Sequence, residues 1–220
     1  MHQINWGIIG SGSIANAFSY SIQAATNSKL TSIFGRNPKK VDAFADKFHI
    51  DAHHQLDDFI SSEEIDAIYV ATPHSEHFFY ALEAIKNGKH VLCEKPFTMN
   101  AYESMILLDL ANTKNIFLME AFMYRTHPQT QKIREIIKEY FSEEPLEIEA
   151  SFGFEADVPE EHRLVNPELR CFNSISPRDS STKTIITTGN FKSLRVANSP
   201  KTISIPASPT KAATGGTSFA

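Results

Sequence analysis

The stretch "INWGIIGSGSIA" (4–15) decides how this chain is read. It starts as an apolar run and ends on Gly10, Gly12 and Ala15, the spacing G-x-G-x-x-G/A. In a strand-to-helix turn each position has a physical task. The first glycine allows the tight turn, and the second keeps a side chain away from an approaching phosphate. The third small residue lets helix and strand pack closely. The helix start then offers backbone N–H donors and a partial positive charge to an anion. Gly10, Ser11, Gly12, Ser13 and Ile14 are therefore the residues expected to hold a pyrophosphate. The spacing alone is a weak signal; it gains weight as the first strand-to-helix turn of an alternating chain.

Working outward, such an alternation covers the first 120 residues. Apolar runs at 4–10, 30–34, 66–72, 90–93 and 116–120 are expected strands. Between them, 14–25, 38–48, 75–87 and 100–113 are expected helices, with Pro38 in a first turn and Gly88 past a helix end. Several strands are apolar throughout, as strands buried on both faces are. Strict alternation predicts an α/β fold with a doubly wound parallel sheet. Right-handed crossovers place the strand C-termini along one edge, where ligands bind. A helix is expected at 128–140. "PLEIEASFGFE" (145–155) then alternates as a strand of an antiparallel sheet with one buried face.

Composition narrows the class. The 220 residues are 41% hydrophobic with a net charge of −5, which argues against a nucleic-acid or anionic-membrane surface. No apolar run approaches the ~18 residues of a membrane span. The N-terminus enters an apolar strand without a basic leader, and Cys93 and Cys171 make no disulfide framework, so a cytoplasmic location is expected.

Three further segments fall at the predicted sheet edge. "IFGRNPKK" (33–40) offers Arg36 where an NAD-selective site would carry an acid. Arg36 suits a 2′-phosphate, so NADP is expected over NAD. "ATPHSEH" (71–77) places Thr72, Pro73 and His74 along the cleft, with His77 capping or packing near the cofactor. His74 and His77 have no third ligand at suitable spacing, so no metal is expected. "GKHVLCEKPFTMN" (88–100) sets Glu94 and Lys95 just past a strand end, stiffened by Pro96. A lysine beside a cationic nicotinamide suits proton transfer, although on spacing alone a surface lysine is the commoner case.

Together "GSGSIA", "ATPHSEH", "GKHVLCEKPFTMN" and "MEAFMYRTHPQ" resemble the Gfo/Idh/MocA oxidoreductases, in the branch of dimeric dihydrodiol dehydrogenases and NADP-dependent D-xylose dehydrogenases. The resemblance covers about 4–170. It implies a Rossmann domain (1–122), followed by the start of an α+β substrate and dimerisation domain (123–170). It implies hydride transfer between NAD(P) and a sugar, polyol or diol, and a homodimer. It makes Lys95 the catalytic residue, binding substrate and assisting proton transfer, and places Glu94 and Lys95 among the cofactor-binding residues. It sets Arg125 near the nicotinamide end of the cleft.

The chain departs from the family after "NPEL" (166–169). The resemblance implies a Gly-Gly-Ala-Leu segment there, then Asp-x-Gly with a Tyr or His to complete the proton relay. Instead "RCFNSISPRDSS" (170–181) follows, and neither Tyr nor His occurs after His162. Residues 171–220 hold 17 Ser or Thr, one Leu and a single acid, Asp179, against six bases. That composition buries too little apolar surface to offset ordering entropy, so an unordered tail is expected. The corner at Arg170 reads as a truncation or a shift of frame. Impaired activity follows as the expectation, and with it a doubtful dimer. The alternatives are a non-catalytic NADP-binding module or a non-functional product.

Overall fold

The computed structural model describes residues 3–140 and strands at 147–151, 154–155, 185–186, 193–198 and 201–206. Two compact units emerge, the first running through Phe122 and the second opening at Met123.

The first unit is a six-stranded sheet built from β1 (Ile4–Ile9), β2 (Ser28–Phe34), β3 (Asp51–His53), β4 (Ala67–Val70), β5 (His90–Cys93) and β6 (Leu118–Glu120). Its order is β3-β2-β1-β4-β5-β6, and every pairing is parallel. The order reverses between β1 and β4, the switch point at which a doubly wound sheet opens a crevice. Five helices cover it: α1 (Ser13–Gln23), α2 (Pro38–Phe48), α3 (Leu56–Ser61), α4 (His77–Lys86) and α5 (Ala101–Lys114).

Strand alternation builds two cores. Ile8, Ile33, Tyr69 and Ala71 pack with Ala15, Ile22, Val41, Phe44 and Phe48 of α1 and α2. Their neighbours Ile9, Phe34, Ile68 and Val70 pack with Phe59, Ala81, Ile85 and Leu107 of α3, α4 and α5. Burial on both faces explains the continuous apolar runs. Each large aliphatic side chain so buried contributes roughly 1.5–3 kcal/mol.

Local signals place the helix ends. Asn37 caps α2 by accepting from the Lys40 N–H at 3.2 Å, with Pro38 in the first turn. At α5, Asn100 accepts from the Glu103 N–H at 3.0 Å, while Glu103 accepts from the Met99 N–H at 3.0 Å. Gly88, at φ +77, lets the chain leave α4.

Two elements fall outside the expected pattern. β3 and α3 lie in the polar, histidine-bearing stretch 51–61. An edge strand needs little apolar surface, and α3 buries only Phe59 and Ile60, so neither shows the periodicity that reveals its neighbours. The expected helix at 75–87 divides into a 3-10 turn, His74–Glu76, and α4 from His77.

The second unit holds a 3-10 turn (Met123–Thr126) and α6 (Pro128–Tyr140). Strands β7 (Glu147–Ser151), β10 (Ser193–Asn198) and β11 (Lys201–Pro206) form an antiparallel sheet in the order β11-β10-β7. β8 (Phe154–Glu155) pairs with β9 (Ile185–Ile186). The strand expected across 145–155 thus contributes β7 and β8 to separate sheets. Strands β9, β10 and β11 lie within the stretch whose composition suggests an unordered tail. That stretch does carry β-branched residues of high strand propensity, among them Val196, Ile203 and Ile205. The departure itself, from "NPEL" through Cys171 to Asp179, lies outside the described residues, as do Leu146 and Phe152.

Candidate functional site

The site forms where β1 and β4 separate. Gly10 has φ +107, a conformation that L side chains rarely adopt. A Cβ there would stand 2.6 Å from the carbonyl oxygen of Ala71, just past the end of β4. This glycine allows two strand ends to meet. At Gly12 the opposite holds: an added Cβ would find nothing within 4 Å. Gly12 is the N-cap of α1, and no side chain caps the helix. The first-turn N–H groups, from Ser13 and Ile14 onward, therefore have no intrahelical acceptors. An open glycine before an uncapped helix start fits the pyrophosphate of a dinucleotide.

Contacts along the sheet edge bring the other segments together. At the end of β2, Arg36 Nη1 lies 2.7 Å from Oε1 of Glu76 in the 3-10 turn after β4. Arg36 is 68% exposed, whereas Glu76 is 20% exposed. The buried hydroxyl of Thr72 has no hydrogen-bond partner. Pro73 is exposed beside it, and His74 is half-buried, its ring 5.6 Å from that of His77.

His77 is fully buried. Its Nδ1 lies 2.9 Å from the carbonyl oxygen of Pro96 and its Nε2 3.0 Å from that of Thr72. One imidazole thereby spans the loops after β4 and β5. This contact makes His77 a positioning residue between those two loops.

The loop after β5 is held at several points. The Tyr69 hydroxyl donates to Glu94 Oε1 at 2.6 Å, and the Lys95 N–H donates to Glu94 Oε2 at 3.1 Å. The Phe97 N–H donates to Glu120 Oε1 at 2.8 Å. Burial pushes the Tyr69 hydroxyl well above its ordinary value, helped by the hydrogen bond to Glu94 and its charge. Burial likewise raises the Cys93 thiol, with the Glu94 and Glu120 charges adding to it. Cys93 is thus an inert packing group. Lys95 is half-buried and follows a peptide unit anchored by Glu94.

Arg125 lies, exposed, on the 3-10 turn Met123–Thr126 of the second unit. Tyr69, Glu76 and Glu120 are parts of the site that sequence reasoning missed. A tyrosine inside the buried run "DAIYVAT" was the available signal for the first. For the two acids, no local pattern marks which loop they support.

The fold and this edge define a dinucleotide-binding α/β domain. Residues 4–122 match the Gfo/Idh/MocA family, described as an oxidoreductase family with an NAD-binding Rossmann fold, and the chain belongs to that family. It is 34% identical over 168 residues to a trans-1,2-dihydrobenzene-1,2-diol dehydrogenase of Xenopus tropicalis, covering 74% of this chain and 50% of the relative. With a D-xylose 1-dehydrogenase (NADP(+)) of Hypocrea jecorina it shares 29% identity over 189 residues, 76% of this chain and 48% of the relative. A crystal structure of KijD10, a 3-ketoreductase from Actinomadura kijaniata in complex with TDP-benzene and NADP, superposes with a TM-score of 0.60 at 28% identity. That likeness covers 64% of this chain and 45% of KijD10. The chain spans about half the length of the curated relatives it matches.

Proposed function

We propose that this chain binds NADP, in preference to NAD, across the β1–β4 crevice. We further propose that it belongs to a hydride-transfer reaction on a sugar, polyol or diol carbon. The observation that carries the reading is the pair of glycines. Gly10 is pressed against Ala71 in a left-handed conformation, and Gly12 stands open at an uncapped helix start.

In this reading Gly10, Ser11, Gly12, Ser13 and Ile14 hold the pyrophosphate, and Arg36 meets the 2′-phosphate. Thr72, Pro73, His74, His77 and Glu94 border the nicotinamide. Arg125 is assigned to the cofactor by the family resemblance. When bound, the cofactor supplies or accepts the hydride. Lys95, half-buried beside the anchored Glu94, binds the reacting oxygen and moves its proton at Nζ. Residues 1–122 then form the cofactor domain, and 123–170 begin the substrate and dimerisation domain. Among the described residues no helix is long and apolar enough to cross a membrane, and a cytoplasmic location is part of the proposal.

A second reading, a cofactor-binding module without turnover, is favoured by one observation. Directly after "NPEL" no Gly-Gly-Ala-Leu segment follows, and neither Tyr nor His occurs beyond His162 to share proton transfer with Lys95. One pair of experiments on the full chain tests both readings. Fluorescence titration with NADPH and NADH is expected to show saturable binding that is tighter for NADPH; no saturable binding of either refutes the proposal. Single-turnover oxidation of diols and aldoses with NADP then divides the two readings, since hydride transfer excludes the module.

A further inference from the structure

The sequence motif leaves Glu76 without a role, yet this acid meets the one arginine placed for a 2′-phosphate. The pair is asymmetric. Arg36 is 68% exposed, and Glu76 is 20% exposed. Glu76 uses Oε1 at 2.7 Å, while its buried Oε2 has no hydrogen-bond partner. Both charges act on Tyr80, a buried residue of α4. Burial foremost and then Glu76 push its hydroxyl up, while Arg36 draws it down.

Two opposite consequences for a 2′-phosphate are conceivable. Glu76 can orient Arg36, which favours the phosphate, or it can compete for the guanidinium and repel the incoming charge. Magnitudes decide between them. Orienting an arginine this exposed is worth little, because solvent screens the pair and the side chain keeps other conformations. A carboxylate four-fifths buried is screened less, so its field on a nearby anion persists. A half-satisfied carboxylate also holds Arg36 by one contact, which a doubly charged phosphate can displace only against repulsion. An uncharged ribose hydroxyl meets no such opposition.

We infer that Glu76 is a specificity-determining residue that narrows the preference for NADP over NAD by competing with the 2′-phosphate for Arg36. The inference rests on the reading that Arg36 meets that phosphate. In its absence the Arg36–Glu76 pair bridges the end of β2 and the turn after β4. When NADP binds, Arg36 turns from the carboxylate to the phosphate, and Glu76 is left facing it.

Calorimetric titration of the full chain with adenosine 2′,5′-bisphosphate and adenosine 5′-monophosphate tests this without any catalytic readout. Glu76→Gln keeps the side-chain shape and removes the charge. It is expected to tighten the bisphosphate by roughly tenfold and to leave the monophosphate within about twofold. Glu76→Ala should move the ratio in the same direction. Thermal melting of both variants separates this from unfolding. An unchanged ratio, or weaker bisphosphate binding in Glu76→Gln, overturns the inference. Arg36→Ala separates the two levels. If it abolishes the preference for the bisphosphate while Glu76→Gln does nothing, only the role of Glu76 falls. If it leaves the preference intact, the placement of the 2′-phosphate falls with it.

Discussion

Replacing Gly10 and Gly12 by alanine, one at a time, separates what the turn does for the fold from what it does for the ligand. At Gly10 the methyl group meets two penalties. The backbone sits at φ +107, where an L residue costs about 1–2 kcal/mol. The new Cβ also lies 2.6 Å from the Ala71 carbonyl oxygen, and main-chain atoms yield only by moving β1 and β4 apart. Overpacking of that kind adds about 1–3 kcal/mol. Gly10→Ala should therefore cost some 2–5 kcal/mol, a large share of a domain's stability, read as a lowered urea midpoint. At Gly12 the methyl has open space on every side, and the cost is limited to a poorer N-cap, within about 1 kcal/mol. Yet it stands at the helix start, where a phosphate would approach the Ser13 and Ile14 N–H groups. Gly12→Ala should melt close to the parent and lose at least about tenfold in NADPH affinity, because those donors no longer reach the phosphates. The refuting result is a Gly12→Ala protein that binds NADPH as tightly as the parent. A Gly10→Ala protein with an unchanged midpoint would equally refute the steric argument.

Three further outcomes are expected. Tyr69→Phe leaves Glu94 Oε1 without its donor and should cost about 1–3 kcal/mol at neutral pH. The Tyr69 pKa is raised in the fold, so its contribution is complete below the ordinary value of 10.0 and is lost as pH climbs above it. Urea midpoints measured across that range should decline less steeply in Tyr69→Phe than in the parent, with a residual slope from the similarly raised Cys93 and Tyr80. His77→Phe keeps the buried volume but abandons the Thr72 and Pro96 carbonyls; a loss of about 1–3 kcal/mol is expected, with faster amide exchange in both loops. Lys95→Met should leave NADPH binding nearly unchanged and, if the chain transfers hydride, slow single turnover by about a hundredfold or more. An unchanged single-turnover rate would refute the proton-transfer role of Lys95.

Much of the first unit was legible because its signals are local. The strand β5 and helix α2 have the bounds their sequences suggest, since apolar runs end at turn residues and Asn37–Pro38 marks a helix start. The G-x-G-x-x-A spacing likewise marks a turn whose three positions each have a steric task within a few residues. β3 and α3 were not legible, because edge elements need so little apolar surface that polar residues and histidines dominate them.

The candidate site divides along the same line. By itself the sequence determined the parallel alternating fold, the tight glycine turn between β1 and α1 and the positions of Arg36 and Lys95 at strand ends. These follow from spacing within one segment. Only the tertiary structure decided that Glu76 faces Arg36 across 40 residues of chain, that Tyr69 supports Glu94, and that His77 joins the loops after β4 and β5. Such contacts depend on which strands become neighbours and which way each side chain alternates. Strand order is set by the packing of both sheet faces at once, a property of the whole domain that no short stretch contains.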